Sequence, residues 1–269
     1  MTDHLLETLD DGVATLTMNR PDARNALSGP MMAALAEAVP RLAADPKVRV
    51  VVLTGAGSAF CAGGDVKGFA ADTGRGADGG AGPSFEQRLY SLRTGMEVSR
   101  WLHEMPKPTL AVIPGPAAGA GLSMALACDL RIAADGAKMT TAFSKVGVSG
   151  DYGGSYFLSH LVGAAKAREL YFMADVITGK EAAALGIVNR SVPAEDLAQA
   201  ATELARRLAG LPTVAIGHMK KNLNTADHGS LSDVLDSEAI HMIRTMMTED
   251  HKAASQAFVD KRAPVFQGR

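Results

Sequence analysis

The chain has 269 residues, of which 47% are apolar, and its formal net charge is −2 at pH 7. This length is sufficient for one substantial hydrophobic core. The near-neutral charge excludes a general electrostatic attraction to nucleic acid or to anionic membranes, so local basic groups must hold any anionic ligand.

The cysteine count and the N-terminus indicate the compartment. Cys61 and Cys128 are the only cysteines, and their spacing is not that of a metal site. Residues 1–4 do not show the basic stretch followed by an apolar stretch that begins a secretory signal. No apolar run approaches the roughly 20 residues of a membrane span. We therefore expect a soluble, reduced, cytoplasmic protein without a metal site.

The first predicted elements are two strands, a helix and a third strand. Apolar alternation over residues 5–9 and 13–18 predicts two strands joined by a short turn. Ser28 is the predicted N-cap of a helix whose apolar positions recur at helical spacing as far as Asp45. The β-branched run at 48–54 is typical of a buried parallel strand.

The middle of the chain repeats this alternation. Residues 70–83 are rich in Gly, Ala and Asp without periodicity, which predicts a mobile surface loop or lid. A helix is expected over 84–105. A second strand–turn–helix–strand passage follows, with its elements at 109–113, 122–128 and 130–134. The repeated unit predicts an α/β fold with right-handed crossovers between parallel strands.

After Val188 the pattern becomes helical, and no further strand is expected. The predicted helices cover residues 194–209, 213–222, 231–247 and 251–262. A helical C-terminal region of this kind often packs against a partner subunit. We therefore assign residues 1–193 to the core and residues 194–269 to oligomerisation, within one structural domain.

Two glycine-bearing turns each follow a β-type run and open a predicted helix. They occupy residues 61–67 (CAGGDVK) and 114–121 (PGPAAGAG). A helix start leaves backbone N–H groups unpaired and carries partial positive charge. Two converging turns could hold one developing oxyanion without any side chain. Spacing alone leaves open whether they do so or are only tight entries into helices.

Four motifs in order resemble the crotonase superfamily, also called the enoyl-CoA hydratase/isomerase family. They lie at residues 19–27 (NRPDARNAL), 55–65 (GAGSAFCAGGD), 115–129 and 261–266 (KRAPVF). The resemblance implies a spiral of repeated β-β-α units with a helical C-terminal trimerisation region. It also implies a homotrimer or dimer of trimers that takes an acyl-CoA thioester. Coenzyme A is then part of the substrate, and no separate cofactor is implied.

The same resemblance places an oxyanion hole on the backbone N–H groups of Gly64 and Ala120. Neither position needs a particular side chain, but each needs a small residue so that the thioester oxygen can approach. Ala62, in the same turn as Gly64, is counted with them among the substrate-binding residues. The expected reaction therefore passes through a thioester enolate.

The resemblance also suggests which residues bind coenzyme A. Arg24 is the candidate contact for phosphate or adenine, and Lys67 is the candidate for the pyrophosphate. Phe266, with Lys261 or Arg262, resembles the C-terminal group that closes over adenine, sometimes from a neighbouring subunit. Taken singly, each of these is an ordinary solvated surface residue.

The acid–base groups depart from those of a hydratase. Hydratases of this family use two glutamates to orient one water, and the matching positions here are Ser123 and Phe143. Asp151 instead resembles the catalytic aspartate of double-bond and ring-opening isomerases and of a chlorobenzoyl-CoA dehalogenase. One partly desolvated carboxylate suffices to move a proton between C2 and C4. Double-bond isomerisation with Asp151 as proton shuttle is therefore predicted.

Several alternatives remain open at this stage. Asp151 could be only the N-cap of a helix over 152–161. The chain could be a hydratase without the glutamate pair, or a non-catalytic acyl-CoA carrier or sensor. Gly119-x-Gly121 followed by Asp135 weakly imitates a dinucleotide site, and Ser123 loosely resembles a serine-nucleophile elbow.

Overall fold

The computed structural model describes residues 3–64 and 82–269. The fold is of the α/β class, as the sequence predicts. Lys67 and residues 70–81 of the predicted loop lie outside the described residues.

Six strands form the main sheet within the described ranges. They are β1 (Leu5–Asp10), β2 (Val13–Met18), β3 (Val50–Gly55), β4 (Thr109–Ile113), β6 (Leu130–Ala134) and β8 (Arg190–Val192), in the order β1-β2-β3-β4-β6-β8. The pair β1–β2 is antiparallel, and each later pair is parallel. Two short strands, β5 (Ala117–Ala118) and β7 (Met139–Thr140), form a separate parallel pair. The hairpin and the parallel crossovers are therefore confirmed.

Strand β8 corrects the expectation that no strand follows Val188. It has only three residues, too few to show an alternating pattern, and it forms by pairing with β6. Asn189 fixes its start, because its side chain accepts a bond from the Arg131 amide while its own N–H donates to the Arg131 carbonyl. This strand is therefore determined by contacts with a distant part of the chain and not by its local sequence.

Helix α1 (Gly29–Ala44) begins as predicted. The Ser28 side chain accepts a hydrogen bond from the Met31 amide, and a proline lies in the first turn. The predicted helix over 84–105 is instead two helices, α2 (Phe85–Gly95) and α3 (Glu97–Glu104), which meet at Met96. At the junction, a Cβ on Gly95 would lie 3.0 Å from the Tyr152 hydroxyl oxygen, so the end of α2 approaches another part of the chain closely.

Seven more α-helices follow in the part of the chain that the structure describes. They are α4 (Ala120–Leu126), α5 (Gly154–Met173), α6 (Gly179–Ala184), α7 (Leu197–Ala209), α8 (Thr213–Ala226), α9 (Leu231–Met246) and α10 (Glu249–Val259). The four predicted C-terminal helices are confirmed as α7 to α10, although residues 194–196 form a 3-10 turn before α7. Helix α5 begins two residues later than predicted.

Two of the C-terminal helices, α7 and α8, are attached to the sheet and its neighbouring segments. Helix α7 packs on β2, β3 and β6, and its Leu197, Ala205 and Leu208 belong to the same buried cluster as the strands. Helix α8 is attached through Lys220, which is only 6% exposed. Its ammonium group donates to the Asp129 carboxylate at 2.8 Å and to the Leu102 carbonyl at 2.9 Å. Helices α7 and α8 are therefore held against the same packed unit as the sheet.

Candidate active site

The first glycine turn follows the carboxyl end of β3 and is attached to the second turn by backbone bonds. The Cys61 N–H donates to the Pro116 carbonyl at 3.1 Å, and the Ala118 N–H donates to the Cys61 carbonyl at 2.9 Å. On its other side, the Leu27 N–H donates to the Gly63 carbonyl at 2.8 Å. The two turns therefore lie side by side, as the predicted oxyanion hole requires.

Small residues are required where these turns meet. A Cβ on Gly63, whose φ is +86°, would lie 2.7 Å from the Ala118 carbonyl oxygen and 3.5 Å from the Ala120 nitrogen. A Cβ on Gly121 would lie 2.5 Å from the Cys61 carbonyl oxygen. Such distances exclude any side chain without backbone movement. The two glycines thus permit the close approach of the two turns.

The N–H groups of Gly64 and Ala120 have no hydrogen-bond acceptor among the residues that the structure describes. Ala120 is the first residue of α4, so its N–H has no partner within the helix. The preceding Gly63 N–H is instead directed to the Cys61 sulfur, at 3.4 Å. Two unpaired donors therefore belong to adjacent turns, one of them at the positive end of a helix.

Arg24 lies next to the first turn. The Ala62 N–H donates to the Arg24 carbonyl at 3.0 Å, and the Arg24 backbone is left-handed, with φ 49°. Asn25 holds this segment in place, because its fully buried amide donates to the carbonyls of Ala56 and Ala59. Asn25 is a structural residue of the site that the sequence analysis did not single out.

Phe266 lies at the other end of β3. The Arg49 guanidinium, just before β3, donates to the Phe266 carbonyl at 3.0 Å and to the Leu211 carbonyl at 2.6 Å. Asp250 holds the following residues by accepting from the Gln267 N–H. Six strand residues span about 20 Å. The structure therefore does not bring Phe266 to the glycine turns of its own chain.

Asp151 lies in a turn with unusual backbone angles. Positive φ values occur at Gly150 (106°), Tyr152 (51°) and Gly153 (77°). The N-cap of α5 is Gly153, and no side chain caps this helix. Asp151 is therefore not the N-cap that the alternative interpretation required, and its carboxyl does not cap α5.

Asp151 is half-buried, and one of its two carboxyl oxygens is fully buried. Its Oδ1 atom is inaccessible to solvent and has no hydrogen-bond partner in the part of the chain that the structure describes. Burial raises the pKa of this carboxyl to about 6. A desolvated carboxyl with a pKa near neutrality is suited to accepting and returning a proton.

Ser123 and Phe143 contribute no acid or base to the site. Ser123 is buried in α4, and its hydroxyl donates to the Gly119 carbonyl at 3.2 Å. Phe143 is also buried, and its ring stacks on Tyr171 with the centroids 5.8 Å apart. At Asp135, the acidic residue of the dinucleotide-like pattern, the backbone N–H donates to the Val192 carbonyl at 2.7 Å and the backbone carbonyl accepts from the Lys180 N–H at 3.1 Å.

Tyr171 is a residue of this site that the sequence analysis missed. Helix α5 is broken at Gly163, where φ is 75° and ψ is 162°. A straight α-helix would place residue 171 about 26 Å from Gly154. Instead, a Cβ on Gly154 would lie 2.5 Å from the Tyr171 hydroxyl oxygen. The only sequence signal was the glycine at the break.

The two cysteines are structural. Burial raises the pKa of both the Cys61 and the Cys128 thiols to about 12, so neither is a thiolate near neutral pH. Within residues 3–64 and 82–269, no three His, Cys, Asp or Glu side chains form a group that could hold a metal ion. No helix in these ranges is long and apolar enough to cross a membrane.

The comparison with known proteins identifies the family. The family model for enoyl-CoA hydratase/isomerase matches residues 8–269. A 1,2-epoxyphenylacetyl-CoA isomerase of Escherichia coli K12 is 36% identical over 269 residues, the full length of both chains. The chain therefore belongs to the enoyl-CoA hydratase/isomerase family of the crotonase superfamily, and it is an acyl-CoA enzyme of that family.

Solved structures agree with this assignment. The crystal structure of an enoyl-CoA hydratase from Polaromonas sp. JS666 matches with a TM-score of 0.89 and 32% identity, covering 97% of this chain and 99% of the other. An enoyl-CoA hydratase from Bacillus anthracis matches with a TM-score of 0.90 and 28% identity, covering 99% and 100%. The crotonase-like fold expected from the sequence motifs is thus confirmed.

Proposed function

We propose that the protein is an acyl-CoA double-bond isomerase in which Asp151 carries the proton. The observation that supports this most strongly is the buried, unpaired Oδ1 atom of Asp151, in a site whose two other acid–base positions hold Ser123 and Phe143. A buried carboxyl oxygen without a hydrogen-bond partner is costly to a fold, and such atoms concentrate at functional sites.

The proposed reaction has two steps. The Asp151 carboxylate removes a proton from C2 of a 3-enoyl thioester, and the electron pair passes through the conjugated system to the thioester oxygen. The N–H groups of Gly64 and Ala120 stabilise the resulting dienolate. The Asp151 carboxylic acid then returns the same proton to C4, which gives the 2-enoyl thioester and restores the carboxylate.

The number of carboxylates favours isomerisation over hydration. Adding water across the double bond requires one group to take a proton from water and another to supply a proton to carbon. Asp151 alone can take and return one proton in sequence. The proposal requires no metal or redox cofactor, because the two amides supply the electrophilic stabilisation.

Coenzyme A binding is proposed for the remaining predicted residues. Arg24 lies beside Ala62 and is exposed, so its guanidinium is available to a phosphate. Lys67 remains a candidate for the pyrophosphate. Phe266 remains a candidate for covering the adenine of a neighbouring subunit, because its own chain holds it at the far end of β3.

A homotrimer or dimer of trimers is part of the proposal. Helix α9 exposes Ile240 and Ile243, which are three residues apart and therefore share one face, with exposures of 56% and 60%. An apolar face of this kind is typical of an interaction surface. It lies in the helical region that the sequence assigns to oligomerisation.

The name of the Escherichia coli relative also supports an isomerase. That protein is an isomerase of an epoxidised aromatic acyl-CoA, and it matches this chain from end to end. Straight-chain 3-enoyl-CoA and an epoxidised arylacetyl-CoA should therefore both be assayed. The relative turnover of the two substrates then identifies the class of acyl group.

The test follows the conjugated product by ultraviolet absorbance. Incubation with 3-enoyl-CoA should raise the absorbance of the 2-enoyl product, and Asp151→Asn should abolish the rise while preserving acyl-CoA binding. Asp196→Asn, an exposed aspartate before α7, is the matched control and should behave as wild type. Binding without any product would support the carrier, and consumption of 2-enoyl-CoA with water would support a hydratase.

A further inference from the structure

Tyr171 lies between the two elements that carry the proposed reactive groups. On one side is α4, whose first residue, Ala120, supplies an unpaired amide. On the other side is the turn that presents Asp151. The break at Gly163 folds the second half of α5 back so that its tyrosine reaches both.

The contact with α4 is made through hydroxyl groups. A Cβ on Gly154 would lie 2.3 Å from the Ser123 Oγ and 2.5 Å from the Tyr171 hydroxyl oxygen, so the two hydroxyls are neighbours beneath this glycine. The Ser123 hydroxyl also donates to the Gly119 carbonyl at 3.2 Å. Gly119 directly precedes Ala120, so this chain of contacts ends at the proposed oxyanion donor.

The contact with the Asp151 turn is made through the ring. A Cβ on Gly150 would lie 3.1 Å from Cε1 of Tyr171 and 3.3 Å from Cδ2 of Phe143. The two rings stack with an interplanar angle of 20°. Gly150 has φ +106°, so both its backbone and the space beside it suit only glycine. The ring therefore packs directly against the residue before Asp151.

We propose that Tyr171 is a positioning residue, which fixes the Asp151 carboxyl relative to the Ala120 amide and shields that carboxyl from water. This inference rests on the proposed function of Asp151. The transfer of a proton between C2 and C4 depends on the placement of both groups to within about half an ångström. Tyr171 contacts both elements without needing to contact the substrate.

The pKa values of the two tyrosines near Asp151 agree with the proposed position of Tyr171. Burial, followed by the negative charge of Asp151, raises the pKa of Tyr171 to about 12, and a hydrogen bond with Ser123 acts in the opposite direction. Burial and Asp151 also raise the pKa of Tyr152 to about 12. Both phenols are therefore neutral near pH 7. The negative charge of Asp151 therefore acts on both phenols.

The test compares Tyr171→Phe with Tyr171→Ala, and uses Phe172→Ala as the matched loss of an exposed aromatic ring from the same helix. The titration midpoint of Asp151 is read by 13C NMR of protein labelled at the aspartate carboxyls, with Asp151→Asn identifying the signal. Turnover of 3-enoyl-CoA is measured in parallel as kcat and KM. Circular dichroism establishes that each variant is folded.

The expected results distinguish the effect of the Tyr171 ring from the effect of its hydroxyl group. Tyr171→Ala should lower the Asp151 midpoint by about one unit and kcat by roughly 100-fold, with KM changed by less than about threefold. Tyr171→Phe should keep the midpoint and lower kcat by only about fivefold, because the ring remains. Phe172→Ala should match wild type. If Tyr171→Ala does not fold, Tyr171→Leu should lower the midpoint in the same direction.

An Asp151 midpoint unchanged in folded Tyr171→Ala or Tyr171→Leu would overturn the inference. The inference would also be overturned if kcat of folded Tyr171→Ala were no lower than kcat of Phe172→Ala. These outcomes are distinct from failure of the proposed function, which would appear as absence of wild-type turnover. The NMR titration would still test in that case whether Tyr171 controls the ionisation of Asp151.

Discussion

The Ala118 carbonyl oxygen lies 2.7 Å from the position that a Cβ on Gly63 would occupy. This proximity brings the first glycine turn against the second, and it leaves the Gly64 and Ala120 N–H groups in neighbouring backbone segments. The geometry of the proposed oxyanion hole therefore depends on the absence of one methyl group.

Gly63→Ala should disrupt this arrangement. The added Cβ would collide with backbone, and the φ of +86° is unfavourable for alanine. Because loss of one oxyanion donor lowers kcat by roughly 100- to 1,000-fold, we expect a decrease of that size. Gly29→Ala is the control, since a Cβ at Gly29 would meet nothing within 4 Å. Turnover of Gly63→Ala within a few-fold of wild type would contradict the close packing of the turns.

The pH dependence of kcat should report the burial of Asp151. Its carboxyl must be ionised to remove a proton, and burial raises its pKa to about 6. The activity should therefore be low at pH 5 and increase as the pH rises through about 6, before reaching a plateau. The measurement is kcat against pH with 3-enoyl-CoA. A midpoint near the ordinary aspartate value of about 4 would show that the carboxyl is solvated during turnover.

Lys220→Met should destabilise the protein. The lysine is almost fully buried, and its removal would leave the Asp129 carboxylate without its cation, although the Thr109 amide and hydroxyl would still donate to that carboxylate. We expect the free energy of unfolding to decrease by about 3 kcal/mol, measured by denaturant titration. Lys221→Met, at the neighbouring position, should change it by less than about 0.5 kcal/mol. Equal effects of the two substitutions would exclude a specific role for the buried pair.

Ile243→Asp should change the oligomeric state. A charge on the exposed apolar face of α9 would be desolvated in any interface formed there, which makes association unfavourable. Sedimentation should show a trimer or hexamer for wild type and smaller species for the variant. Glu238→Ala, on the same helix, should assemble as wild type. A monomeric wild type would refute the oligomer, and an assembled Ile243→Asp would place the interface elsewhere.

The sequence was most informative where local chemistry decides the structure. The Ser28 cap and the alternation of β2 each act over a few residues, and both features are present in the structure. The two glycine turns were recognisable because glycine and alanine occupy positions where a larger side chain would clash, as the distances at Gly63 show. The order of the motifs then identified the family.

The features that were missed depend on contacts between distant segments. Strand β8 exists because it pairs with β6, and three residues carry too little pattern to reveal it. Tyr171 reaches Gly154 only because α5 breaks at Gly163, and no periodicity gives the direction of such a break. Likewise, the position of Phe266 follows from its bond with Arg49, which no local motif encodes.

The most direct test of the reaction site is a crystal structure of Asp151→Asn with 3-enoyl-CoA bound, since this variant should hold the substrate unreacted. We predict that the thioester oxygen lies within about 3.1 Å of both the Gly64 and the Ala120 nitrogen atoms. C2 and C4 of the acyl group should both face residue 151. A thioester oxygen that contacts neither amide, or an acyl chain directed away from residue 151, would contradict the account.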